Sequence, residues 1–195
     1  GLDITAGELR NAGTLYSAGD LQVAATGLHN QGTGTNGVLH AGGDMGLLLA
    51  PGSTLHNAGR IEAAGALGIG DATHRADIEN TGTLLGETLA IEAGALRNRG
   101  TLQAADGATI LGATLHNLGQ DATILGSTAG SGASLLRFTG SATNEGAIHG
   151  AGAMRLEAAS LHNGNTAGLS SLTALWLDTG AGDIDRFSVR PGAVL

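Results

Sequence analysis

The chain has 195 residues, a formal net charge of −8 at pH 7, no cysteine, and nine basic residues that are all arginine. The acidic balance opposes nucleic acid, anionic lipid and polyanionic sugars as partners, and no apolar run approaches the roughly 20 residues of a membrane-spanning helix. Glycine is frequent, at 35 residues, but lacks the Gly-X-Y period of collagen, and the regular Leu, Ile and Val content sets the chain apart from disordered sequences.

Near the start of the chain stands Leu9-Arg10-Asn11-Ala12-Gly13-Thr14-Leu15, followed by Ala18-Gly19-Asp20-Leu21-Gln22-Val23. The tripeptide Asn-x-Gly then returns at Asn30 with Gly32, Asn57 with Gly59, Asn80 with Gly82, Asn98 with Gly100, Asn117 with Gly119 and Asn144 with Gly146. A degenerate copy begins at Asn163, where Asn165 stands in place of the glycine. Two residues before each Asn lies an aliphatic side chain (Leu9, Leu28, Leu55, Ile78, Leu96, Leu115, Leu161), with Ala142 the exception. A fixed period of this size marks a solenoid, in which each repeat buries itself only against its neighbours.

Within one repeat, Leu96, Asn98, Gly100, Leu102 and Ala104 share one parity, and Arg97, Arg99, Thr101 and Gln103 share the other. That is period-two alternation, the pattern of strands with one buried and one wet face. Glycine at such density would cost a helix about 1 kcal/mol per occurrence. The expected fold is all-β: a right-handed parallel β-helix of about eight coils, with like residues stacked at about 4.8 Å. On the inward parity at a bend, each Asn is placed to donate to the amide oxygen of the Asn one coil away. Asn11, Asn30, Asn57, Asn80, Asn98, Asn117, Asn144 and Asn163 are therefore expected to form a ladder. The glycines Gly13, Gly32, Gly59, Gly82, Gly100, Gly119 and Gly146 are expected to supply positive φ or close approach of coils at the turn.

Successive Asn residues are 19, 27, 23, 18, 19, 27 and 19 apart, so three repeats are enlarged. The extra residues are placed at 32–37, 70–77 and 126–134, where small polar residues cluster. Loops on a rigid scaffold are where binding tends to lie, which makes Asn36, Asp71, His74, Arg75, Asp77 and Ser131 the candidate binding residues. Simple tolerance of insertion is the favoured reading, because no aromatic anchor accompanies them.

Candidate chemistry is sparse. His29, His56, His116 and His162 each precede a ladder Asn on the outward parity. His29 and His56 fall on successive coils, yet the row continues with Glu79 and Arg97, which favours solvated histidines over a metal site. Asp71 and Asp77 flank His74 and Arg75, and Asp183 and Asp185 neighbour Arg186. Neither group recurs on adjacent coils to line a catalytic groove. Gly42-Gly43-Asp44 matches a fragment of a calcium-binding nonapeptide, but it occurs once. The expectation is no catalytic residue, no metal and no cofactor.

The phrase Leu-x-Asn-x-Gly-x-Leu-x-Ala-x-Gly-x-Leu-x-Leu resembles the filamentous haemagglutinin repeat, most closely over residues 9–23 and nearly as closely over 96–104. The resemblance covers about residues 2–168. It implies a shaft segment of a large secreted exoprotein at a Gram-negative cell surface, an adhesin or the stalk of a contact-dependent growth inhibition toxin. It further implies export through an outer-membrane two-partner-secretion transporter, acting on parts of the protein outside this sequence. A host-cell or bacterial receptor is the partner it suggests, with no nucleic acid and no membrane insertion. Residues 1–168 are read as the shaft. Residues 169–195, which lack Asn-x-Gly, are read as a terminal coil, a cap or the start of another repeat type.

Overall fold

The structure, a computed structural model, describes residues 1–32, 37–129, 132–164 and 167–179. These residues form no helix. Their 23 strands make two parallel sheets, of 15 and 8 strands, wound as a β-solenoid of eight turns. Each turn has three faces, as in Thr88–Glu92, Ala95–Asn98 and Thr101–Ala104, after which Ala108–Gly112 returns to the first face one level on. The opening strands Leu2–Asn11 and Leu21–Asn30 run unbroken across two faces, which joins those two ladders into the single large sheet.

Parity decides what the solenoid buries. On the first face the inward column runs Ile4, Val23, Leu47, Ile69, Ile91, Ile110, Leu136, Leu156 and Leu177, each paired in register with the next. The second face stacks Leu9, Leu28, Leu55, Ile78, Leu96, Leu115, Ala142 and Leu161. The third stacks Leu15, Leu39, Ile61, Leu84, Leu102, Ile124, Ile148 and Leu169. Away from the first coil most of these side chains are fully buried, each worth about 1.5–3 kcal/mol. Leu2, Ile4, Leu9 and Leu15 are only partly buried, having a neighbouring coil on one side. The core is therefore a cord along the axis, to which the coils beyond the first each contribute fully buried side chains.

The regular winding extends past Gly168. Gly168–Ser171 pairs with Ala147–Gly150, and Leu175–Thr179 pairs with Met154–Ala158. Residues 180–195 lie outside the described residues.

Candidate functional site

The ladder asparagines close the second face, each at the last position of its strand. Asn11 Nδ2 donates to Asn30 Oδ1, Asn30 to Asn57, and so on through Asn80, Asn98, Asn117 and Asn144 to Asn163. These seven rungs measure 2.7 to 2.8 Å. The amides from Asn30 to Asn163 are buried. A second set of bonds uses their remaining donor capacity, as where Asn98 Nδ2 also reaches Gly100 O at 3.0 Å and Thr123 O at 3.1 Å. Among the described residues no buried side-chain polar atom lacks a partner, as expected for groups whose desolvation would otherwise cost about 1–3 kcal/mol each.

The expected turn glycines divide into three groups. At Gly59, Gly82, Gly100 and Gly146 a Cβ would collide with a carbonyl oxygen of the preceding coil, that of Gly37, Gly59, Gly82 and Ala122 respectively. Close approach of backbones is the reason for glycine at these four. At Gly13, in the first coil, a Cβ would have no neighbour within 4 Å. Gly32 and Gly119 have φ of 136° and 92°, a region that favours glycine, and they do not stand in the stack.

Their structural counterparts are Gly37 and Ala122. The ladder amide of Asn30 bonds Gly37 O and that of Asn117 bonds Ala122 O, as Asn80 bonds Gly82 O and Asn98 bonds Gly100 O. The same carbonyls receive the next coil's amides: Arg60 N–H on Gly37 O and Ala147 N–H on Ala122 O, matching Thr101 N–H on Gly82 O. The insertions in these coils therefore fall between the Asn and its stacking partner, a displacement that the Asn-x-Gly spelling conceals.

The excess residues are also distributed differently from the sequence-based placement. The coil after Asn30 carries a second corner at 50–53, between Met45–Leu49 and Thr54–Asn57. The coil after Asn117 carries one at 118–121 in addition to the corner between Thr123–Ser127 and Ser134–Phe138. Corners 50–53 and 70–76 lie on successive coils and touch, Gly52 N–H reaching Arg75 O at 3.5 Å. The enlarged corners lie between strands, but one extra residue enters a strand: the pairing of Thr123–Ser127 with Ala147–Gly150 shifts register between Leu125 and Ser127.

Four of the six candidate binding residues can be placed; Asn36 and Ser131 lie outside the described residues. Asp77 belongs to the strand Asp77–Asn80, where its Oδ1 accepts the Ala95 N–H at 2.8 Å and occupies the space beside Gly94. Asp20 and Asp44 do the same for Asp44 N–H and Ala66 N–H. These aspartates cap turns between coils, and Asp44 accounts for the Gly42-Gly43-Asp44 phrase. Asp71 closes its own turn: the Thr73 hydroxyl and amide and the His74 ring and amide all bond its Oδ1. The Thr73 hydroxyl bond is the largest cause, with Thr73 N–H and His74 assisting, of a carboxyl held far below the usual range. Arg75 pairs with Glu92 at 2.8 Å. The 70–77 segment thus spends its charges on itself and its neighbouring coil.

On the outer side of the ladder strand, Arg10, His29, His56, Glu79, Arg97, His116, Thr143 and His162 form one registered row. His29 and His56 stack with ring centroids 4.7 Å apart and planes at 24°. Glu8 Oε1 lies 3.0 Å from His29 Nε2, and Glu79 Oε2 lies 2.9 Å from His56 Nδ1. A shallow cleft of about 320 Å³ opens beside the pair. The third face carries a parallel arrangement, in which Tyr16 stacks on His40 and His40 lies 3.5 Å from Glu62. The Glu62 carboxyl is held below its usual range, chiefly by Arg60 and then by His40. Among the described residues no group of three or more His, Asp or Glu is gathered around one point to hold an ion.

No family model matches the chain, and neither the curated proteins nor the solved structures provide a match.

Proposed function

We propose that the chain is a structural shaft: a segment of a large secreted exoprotein at a Gram-negative cell surface, extending and presenting a binding tip or toxin. In this reading its export depends on an outer-membrane two-partner-secretion transporter that engages other parts of the protein, and its own role is mechanical rather than catalytic. The observation that carries the proposal is the continuity of the ladder, with seven rungs linking eight coils across both the regular and the enlarged corners. A rod whose cord of core and amide bonds is uninterrupted transmits tension and holds its length. The resemblance of Leu9–Val23 to the haemagglutinin repeat supports the surface location.

The experiment is to place the chain between a surface anchor and a tip of known affinity, then to duplicate or remove whole coils. A shaft changes the reach of the tip by about 4.8 Å per coil and leaves tip affinity unchanged. Adhesion of host cells or bacteria to the chain with no tip attached would replace this reading with that of a binding module.

A further inference from the structure

We propose that His29 and His56 bind one divalent late-transition-metal ion, of the zinc and copper(II) class, across the second and third coils, with Glu8 and Glu79 as supporting carboxylates. The proposal goes beyond the shaft reading and does not depend on it.

The first argument is register. His29 and His56 pair directly on adjacent parallel strands, and in their outer row this is the one place where two imidazoles are neighbours. Imidazole is the commonest protein ligand for such ions. With ring centroids 4.7 Å apart, a modest turn of the rings from parallel towards convergence brings one nitrogen of each within the span of at most about 4.2 Å that two ligands at about 2.0–2.1 Å from one ion require. Both side chains have room to turn, being 30% and 43% exposed beside the open cleft.

The second argument concerns protons. An oxygen of a carboxylate only accepts, so a ring nitrogen 3.0 or 2.9 Å from it carries the hydrogen; otherwise two lone pairs would face each other. That places the proton of neutral His29 on Nε2 and that of neutral His56 on Nδ1. His29 Nδ1 and His56 Nε2 are left with free lone pairs, and among the described residues neither makes a hydrogen bond or ion pair. A carboxylate behind each ligating imidazole is the arrangement that fixes the tautomer and raises ligand basicity in metal sites. Arg10 and Arg97, the arginines of this row that flank the His29, His56 and Glu79 stretch, are turned to Glu8 at 3.1 Å and Glu79 at 3.9 Å. Water in the cleft completes the coordination, because the protein supplies two nitrogens and no preformed third ligand.

The test is calorimetric titration of the whole chain with zinc chloride, and separately with copper(II) chloride, at pH 7.5. The expected result is one ion per chain. His29→Ala and His56→Ala should each weaken binding by about tenfold or more, and Glu8→Gln or Glu79→Gln by about 10–100-fold. His116→Ala should leave it unchanged. Independently of any variant, zinc should shift the ring resonances of His29 and His56 while leaving those of His116 and His162 in place. Unaltered affinity in His29→Ala, or equal shifts at all four rings, overturns the proposal.

Discussion

Two kinds of corner follow the ladder, and they solve the same problem differently. At Asn57, Asn80 and Asn98 the chain turns in two residues, and Gly59, Gly82 and Gly100 lie against the coil below with no space for a side chain. After Asn30 and Asn117 comes a positive-φ glycine, Gly32 or Gly119, and it is Gly37 or Ala122 that offers the same carbonyl to the same bonds. The rungs across both kinds of corner have the same length, 2.7 to 2.8 Å. What the solenoid keeps constant is therefore the amide and the returning carbonyl. The number of residues between them is free.

If the amide is the constant, its loss from the middle of the ladder should be the most damaging change. Asn98→Ala removes the bond accepted from Asn80 and the bond donated to Asn117, and it leaves the Asn117 Oδ1 without its donor in a buried site. The expected cost is about 2–4 kcal/mol in chemical denaturation. Asn11→Ala removes a single rung at a half-exposed position that water can reach, and should cost less than about 1 kcal/mol. Equal costs at the two sites would show that burial does not set the value of a rung.

The glycine stack comes next. Gly82→Ala forces a methyl group into the Gly59 carbonyl, a backbone atom that cannot rotate away, and should destabilise by about 1–3 kcal/mol. Gly13→Ala meets nothing and should change stability by less than about 0.5 kcal/mol. Thermal melting of both variants distinguishes close approach from a generic turn preference, since a shared preference would make the two losses alike.

These contrasts also mark how far the sequence could be read. The Leu and Asn columns were legible because a side chain's parity dictates its face, and stacking repeats that parity in every coil. Glycine was legible as a requirement but not as a mechanism. Gly59 and Gly119 are spelled alike, whereas only the neighbouring coil reveals that one is pressed against a carbonyl and the other is not. Corners 50–53 and 118–121 were missed because a spacing of 27 reports the total excess and not its division among three corners. Asp77 read as a loop carboxylate because nothing in its own strand shows the Ala95 N–H of the next coil. The Glu8–His29 contact was hidden for a similar reason: the registered partner of His29 is Arg10, and Glu8 reaches it diagonally.

The smallest expected effect is the most direct test of the two-corner comparison. Deleting residues 32–36 joins Asn30 and Gln31 to Gly37, converting an enlarged corner into a regular Asn-x-Gly turn. Gly37 already accepts the Asn30 amide and the Arg60 N–H, and Gly59 already provides the bare Cα that faces it. The shortened coil loses no rung, and loop-closure entropy changes little over such lengths, so stability should stay within about 1 kcal/mol of the parent. The β-sheet spectrum and cooperative unfolding should both persist. Removing Gly37 along with the five residues is the matching control. It deletes the carbonyl that both bonds use, and should cost about 1–3 kcal/mol, chiefly through the Arg60 N–H left without its acceptor. If the two deletions were equally tolerated, the returning carbonyl would not be what the ladder conserves.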